Sequence, residues 1–248
     1  MNFADLAWPA IRDIVARGHA VAILPCGATE AHGPHLPLGT DVIISEGVAR
    51  RAAETLERSG VAALVLPSIA YAPADCAAEF AGTITIGASA AKAILIDIAR
   101  SLKMQGFSCL GLANSHFDPA NVAMLRDVVA DIRGMGLAVA FPDFTRRALA
   151  QRLTAEFLSG ACHAGRFESS LVLADRPDLV NEAVRRALPE NPSSLTAAFS
   201  RGARTFSEAG GADAYFGDPR HATAEEGERT FRVMADALVA AVREVIAG

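Results

Sequence analysis

Two short stretches of this chain concentrate histidines and carboxylates: Thr29 to Asp41, TEAHGPHLPLGTD, and Asn114 to Asp118, NSHFD. Each holds a carboxylate and an imidazole two residues apart, Glu30 with His32 and His116 with Asp118. Alternate residues of an extended segment point to one side, so each pair can address a single point. Asp41 follows the first pair after a turn rich in Gly and Pro that can fold back over it. Carboxylates with imidazoles suit Zn²⁺ or Mn²⁺, and Fe²⁺ accepts the same donors. Three carboxylates and two histidines exceed what one tetrahedral zinc needs. A pair of ions sharing one carboxylate would use them all. The chemistry to expect is metal-dependent hydrolysis. Each residue alone has a plainer reading: Asp41 as a helix cap, His116 as a hydrogen-bonded histidine at a strand end. Their gathering at one edge of a sheet is what favours a site.

A third stretch, Cys162 to Ser170, reads CHAGRFESS. His163 beside a metal would act as general base or acid, because imidazole titrates near neutrality. Glu168 would ligate an ion or orient a ligand. As a first-turn carboxylate it would also be favoured by the helix dipole alone. His35 either backs the site or fixes its turn.

Elements must hold these residues in place. Apolar runs at 21–25, 62–67, 109–113 and 137–141 read as strands, and their unbroken hydrophobicity predicts a parallel sheet covered on both faces. Helical periodicity fills 41–58, with Thr40 or Asp41 as its cap, then 88–105, stopped by Gly106, and 120–133, stopped by Gly134. Further helices are expected at 169–174 and 225–246. Strands alternating with helices imply βαβ units with right-handed crossovers. Ligands of such sheets bind outside the carboxyl ends of the strands, and both acid/histidine pairs lie just past such ends. Residues 68–87 and 189–221 read as long loops rich in Ala, Gly, Pro and Ser, a length usually functional or mobile. The expectation is a single α/β domain over residues 1–248, with a central parallel sheet flanked by helices.

Composition removes other classes. With 248 residues and 51% hydrophobic content, the chain can bury a sizeable core. A net charge of −5 with scattered Lys and Arg gives no stripe for nucleic acid. The first twenty residues mix polar and apolar types, unlike a signal peptide. No run approaches the ~18 apolar residues of a membrane span. Cys26, Cys76, Cys109 and Cys162 form no C-x-x-C pair, so a cysteine zinc site is not expected and a reducing cytoplasm is.

These motifs together resemble the creatininase family of metal-dependent amidohydrolases. The family's G-x-x-E-x-H-G-P-H-L-P-L-x-T-D is matched from Gly27 to Asp41, and F-x-G-T-I-T from Phe80 to Thr85. N-G-H followed by an aromatic and Glu is approximated by Asn114 to Asp118. H-A-G-x-x-E-T-S is matched from His163 to Ser170, with Ser169 for Thr, and G-D-P-x-x-A-T-A-E-x-G from Gly217 to Gly227. The resemblance implies one parallel α/β domain, a two-metal site with Zn and/or Mn, and a homo-oligomer, often a hexamer. By it, Glu30, Asp41 and His116 would hold one ion. His32, Asp41 and Asp118 would hold the other, with Asp41 bridging. His163 matches a histidine that handles substrate. The chain departs from creatininase in carrying Asp118 for Glu, Ser115 for Gly and Cys162 for an acidic residue, and its one tryptophan, Trp8, is N-terminal. A creatinine ring would lack its aromatic cover, so a different substrate is expected. The expected reaction is hydrolysis of a non-peptide C–N bond in a small cyclic amide or formamide. A water between the metals would attack, His163 would pass a proton to the leaving nitrogen, and Glu168 and Asn114 would support the site. The rivals are a peptidase-like maturation protein for a peptide-derived cofactor and a metal-binding member without turnover.

Overall fold

A computed structural model describes residues Met1–Ala247. Its centre is a parallel sheet of four strands: β1 (Val21–Cys26), β2 (Ala63–Val65), β3 (Cys109–Asn114) and β4 (Ala138–Ala140), in spatial order β2-β1-β3-β4. The two central strands run level: Val21 lies opposite Cys109 and Cys26 opposite Asn114. The segments leaving their carboxyl ends therefore begin side by side.

Among the described residues there are ten α-helices, in chain order α1 (Trp8–Ala16), α2 (Thr40–Arg58), α3 (Ala88–Met104), α4 (Pro119–Gly134), α5 (Arg147–Ala150), α6 (Ala155–Ser159), α7 (Arg166–Asp175), α8 (Glu182–Ala187), α9 (Leu195–Ser200) and α10 (Ala224–Ala247). The sheet's unbroken hydrophobicity has the expected cause. Along β1, Val21 and Ile23 pack into one core with residues of α2, α7 and α10. Ala22, Leu24 and Cys26 pack into a second, with residues of α1, α3 and α4. Alternate side chains of a strand face opposite ways, so a strand covered on both faces has no position to spare for a polar residue. No helix among the described residues is long and apolar enough to cross a membrane.

Several details depart from the sequence reading. Helix α1 was not expected. Neither Thr40 nor Asp41 caps α2: Gly39 is at the cap position without a side-chain bond, and Thr40 Oγ1 donates to Pro37 O at 2.7 Å. The Asp41 carboxylate is thereby left free. Helix α7 begins at Arg166, three residues earlier than expected, which puts Glu168 in its first turn. The 189–221 stretch contains α9 and supplies Ala198, Phe206, Ala214 and Phe216 to a small apolar core that also takes in Ala31, Ala77 and Ala161.

Candidate metal centre

The segment leaving β1 is drawn tightly against the start of α2. A Cβ at Gly27 would stand 2.6 Å from the Val42 backbone nitrogen, closer than real contacts allow. Glycine at this position lets Asp41 approach the end of the strand. From β3, Ser115 Oγ donates to Asp41 O at 2.6 Å, tying the second strand end to the same helix start. The 68–87 stretch props the site from outside: Ala31 N donates to Thr83 Oγ1 at 3.0 Å and Ile84 N to Thr29 O at 2.9 Å. Asn114 and Asn121 both donate to His116 O, at 2.9 and 2.8 Å, and fix that turn.

Glu30, His32, Asp41, His116, His163 and Glu168 thereby converge, all buried. Three overlapping groups have donor atoms mutually within 4.8 Å: Glu30–Asp41–His116, His32–Asp41–Glu168 and Glu30–His32–His163. Asp41 reaches both ways, with Oδ2 3.0 Å from His116 Nδ1 and Oδ1 3.4 Å from His32 Nε2. His32 Nε2 is also 3.5 Å from Glu168 Oε2, and Glu30 Oε1 is 3.3 Å from His116 Nδ1.

Each imidazole is oriented by a backbone carbonyl, which can only accept. His32 Nδ1 donates to Glu30 O at 3.1 Å, His116 Nε2 to Pro73 O at 2.7 Å, and His163 Nε2 to Ala31 O at 2.9 Å. In each ring the other nitrogen faces the carboxylates. Such outer hydrogen bonds fix tautomer and direction in metal-ligating histidines. Buried polar atoms are nearly always hydrogen-bonded, yet Glu30 Oε2, His32 Nε2, Asp41 Oδ2 and Asp118 Oδ2 have no such partner. Those of Glu30, His32 and Asp41 belong to the converging groups, and unpaired oxygens and imidazole nitrogens so gathered are a donor set that fits divalent cations.

The electrostatics describe the same deficit of positive charge. Burial opposes protonation of His32, but Asp41, Glu168 and Glu30 outweigh it and raise the imidazole to about 10. His116 is held well above its usual value, with Glu30 and Asp41 overcoming burial. Burial pushes Glu168 up to about 8, with His32 opposing and Asp41 reinforcing. His163 goes the other way: burial and then the neighbouring His32 keep it well below its usual value.

Asp118 stands apart from these three groups. Its Oδ1 accepts from Ala120 N at 2.7 Å and caps α4, while Oδ2 is buried without a partner. The carboxylate beside His32 and Asp41 is Glu168, which also accepts from Ala164 N at 2.6 Å. His35 does not join the cluster. Its Nε2 lies 2.8 Å from Ser169 Oγ, so it links the β1 segment to α7. Burial, helped by His32 and Arg185, lowers it to about 4.

All of these donors except His32 line a cavity of about 60 Å³, together with Asp118, Cys76, Cys162, Phe117, Leu195, Phe199 and Phe206. The phenylalanines were not anticipated as lining residues. Phe206 stacks on His163 with ring centroids 4.3 Å apart. Aromatic cover is thus present in a chain whose one tryptophan, Trp8, is 72% exposed on α1.

A fold of this topology carrying a carboxylate–histidine centre at its strand ends is that of a metal-dependent hydrolase. The profile of the creatininase family, described as creatinine amidohydrolase, matches residues 4–242. The chain belongs to the creatininase family. It is 34% identical over 221 residues to a mycofactocin precursor peptide peptidase of Mycobacterium tuberculosis, covering 86% of this chain and 81% of that one. It is 31% identical over 193 residues to a creatinine amidohydrolase of Pseudomonas putida, covering 71% and 72%. A mutant creatininase of zinc–zinc type superposes with a TM-score of 0.74 at 26% identity, over 98% of this chain and 96% of that one. A manganese form of creatininase matches similarly, with a TM-score of 0.72 at 28% identity, over 98% and 97%.

Proposed function

We propose that this centre holds two divalent cations, zinc or manganese, and hydrolyses the C–N bond of a small cyclic amide or formamide. The observation that carries the proposal is the set of overlapping donor groups with unpartnered buried atoms, opening into a confined cavity. Glu30, Asp41 and His116 would hold one ion. His32 and Asp41 would hold the other with Glu168, which already lies 3.5 Å from His32. Asp118 would serve that ion from the cavity wall when its free Oδ2 turns inward. Bound there, divalent ions polarise a carbonyl and acidify water enough for attack near neutral pH.

The remaining work falls to side chains. His163 is kept neutral, its Nε2–H spent on Ala31 O, so Nδ1 is free to take a proton and release it to the leaving nitrogen. Phe206 and Phe199 exclude bulk water. The Ala31 and His116 backbone carbonyls, held by His163, Asn114 and Asn121, keep the donors from drifting.

The test is metal analysis with turnover. About two ions per chain, with hydrolysis of amides from a cyclic-amide and formamide panel, is the expected result. No bound metal after reconstitution with zinc or manganese would overturn it. The similarity to precursor-peptide peptidases favours a second reading, cleavage of a peptide substrate. That reading requires the 195–206 stretch to move off the cavity, and it predicts release of a peptide fragment where the small amides give nothing. The exposed apolar side chains of Trp8 and Met104, at 72% and 79%, accord with a homo-oligomer, a hexamer by family resemblance. Light scattering on the purified protein reads the assembly directly. Four unpaired cysteines suit a cytoplasmic location.

A further inference from the structure

We infer that the cavity selects an uncharged substrate with an apolar or aromatic substituent, and that Leu195, Phe199 and Phe206 are the residues that determine this specificity. The inference rests on the amidohydrolase reading of the site and adds the chemical class of what enters it.

The first argument is charge. Four carboxylates line the cavity, Glu30, Asp41, Asp118 and Glu168. Two divalent ions would bring four positive charges, matching the four carboxylates. Among the described residues, no Lys or Arg lines this cavity. A carboxylate on the substrate would leave water and meet no counter-charge, and an unpaired buried charge is strongly unfavourable.

The second argument is the apolar part of the wall. Leu195, Phe199 and Phe206 all come from one stretch and present carbon to the cavity. The wall is fixed before any ligand arrives. Phe206 is held between His163 and Phe216, with centroids at 4.3 and 5.7 Å. Its backbone N–H donates to Cys76 O at 2.9 Å. Helix α9 is capped by Ser194 and held to the Gly160 carbonyl by Leu195 N at 2.7 Å. Ligand sites with an apolar surround and a few convergent polar groups take their specificity from both parts. Here the polar part serves the scissile bond, which leaves the substituent to the phenylalanines.

The experiment uses two hydroxamates with the same metal-binding head, benzohydroxamate and its 3-carboxy derivative. Calorimetric titration of the zinc-loaded protein is expected to show the neutral probe binding at least about tenfold tighter, a difference of about 1.4 kcal/mol. Phe199→Arg, which puts a guanidinium on the wall, is expected to narrow or invert that ratio. Equal or tighter binding of the carboxylated probe by the unsubstituted protein overturns the inference, as does failure of both probes to bind. If the preference holds but no amide is hydrolysed, the amidohydrolase reading fails and the selectivity of the cavity stands.

Discussion

The two halves of the centre are built by different means. Glu30, His32, Asp41 and His116 rise from the ends of β1 and β3 and the start of α2. Their positions follow from the register of two paired strands, and a shift of one residue would be opposed by a whole ladder of hydrogen bonds. His163, Glu168 and the phenylalanine wall come from 160–216, which pairs with no strand of the sheet. That half is placed by individual side chains. Glu156 is the chief of these: Oε1 accepts from Phe167 N at 2.7 Å and Oε2 from Asp218 N at 2.8 Å, joining the start of α7 to the segment that follows the wall. The fit around it is close, since a Cβ at Gly165 would lie 2.3 Å from Phe216 O and 2.6 Å from Glu156 Oε1. A half-site held by a sheet resists single substitutions outside it; a half-site that hangs on a few separate contacts, those of the half-buried Glu156 foremost, does not.

The largest effect should come where both halves meet. Asp41→Ala is expected to release both cations and lower kcat/KM by on the order of 10³-fold, about 4 kcal/mol of transition-state stabilisation. Metal analysis and kinetics together check it. Two ions and unimpaired turnover in that variant would dissolve the shared-carboxylate arrangement.

Glu156→Ala separates the halves. It leaves two backbone donors without their acceptor, a cost of about 2–3 kcal/mol in a denaturant melt. Metal content should fall from two ions towards one, the survivor at Glu30, Asp41 and His116. Loss of both ions together would mean that the sheet-edge half depends on the other after all.

His35 is the latch between them, through Ser169, and its shifted titration gives a pH signature. Its folded value of about 4 lies below the ordinary 6.5. The unfolded chain therefore takes up the proton first as pH falls. The contribution of neutral His35 is complete above pH 6.5 and declines as the pH drops towards 4, by up to about 3 kcal/mol. In chelator-treated protein, His35→Gln should lose less stability between pH 7 and pH 4.5 than the unsubstituted chain does. Parallel pH curves would remove His35 from the linkage.

The smallest effect is expected far from both halves. Trp8→Ala, on the outer side of α1, should change stability by no more than about 0.5 kcal/mol and leave metal content alone. A marked fall in turnover would show that a tryptophan reaches the site from a neighbouring copy, and that the phenylalanine wall is not the whole cover.

The two halves also differ in how far they could be read from sequence. The strands and five of the ten helices, α2, α3, α4, α7 and α10, were legible, because burial on both faces writes unbroken apolar runs and helical burial writes a 3.6-residue period. Glu30, His32 and His116 could be picked out as candidates because they sit in short local patterns that follow strands. Glu168 was noticed, yet nothing in its neighbourhood places it beside His32, 136 positions away in numbering. Asp118 looked equivalent to the other acids by spacing and by family likeness, but here one of its oxygens is spent on the α4 cap. The phenylalanine wall gave no signal, since a Phe in a Gly- and Ser-rich stretch reads alike whether it covers a site or only a small core.

By itself the sequence determined the parallel α/β class, the chemical type of the donors and the strand ends from which half of them start. Those features depend on local pattern and on periodicity. Only the tertiary structure decided which carboxylate stands beside His32, which face of the cavity is apolar, and how the two halves are joined. Those are contacts between segments far apart in the chain, set by backbone packing around Gly27, Glu156 and Gly165, and no residue's type or spacing encodes a distance to a partner that folding has yet to bring near.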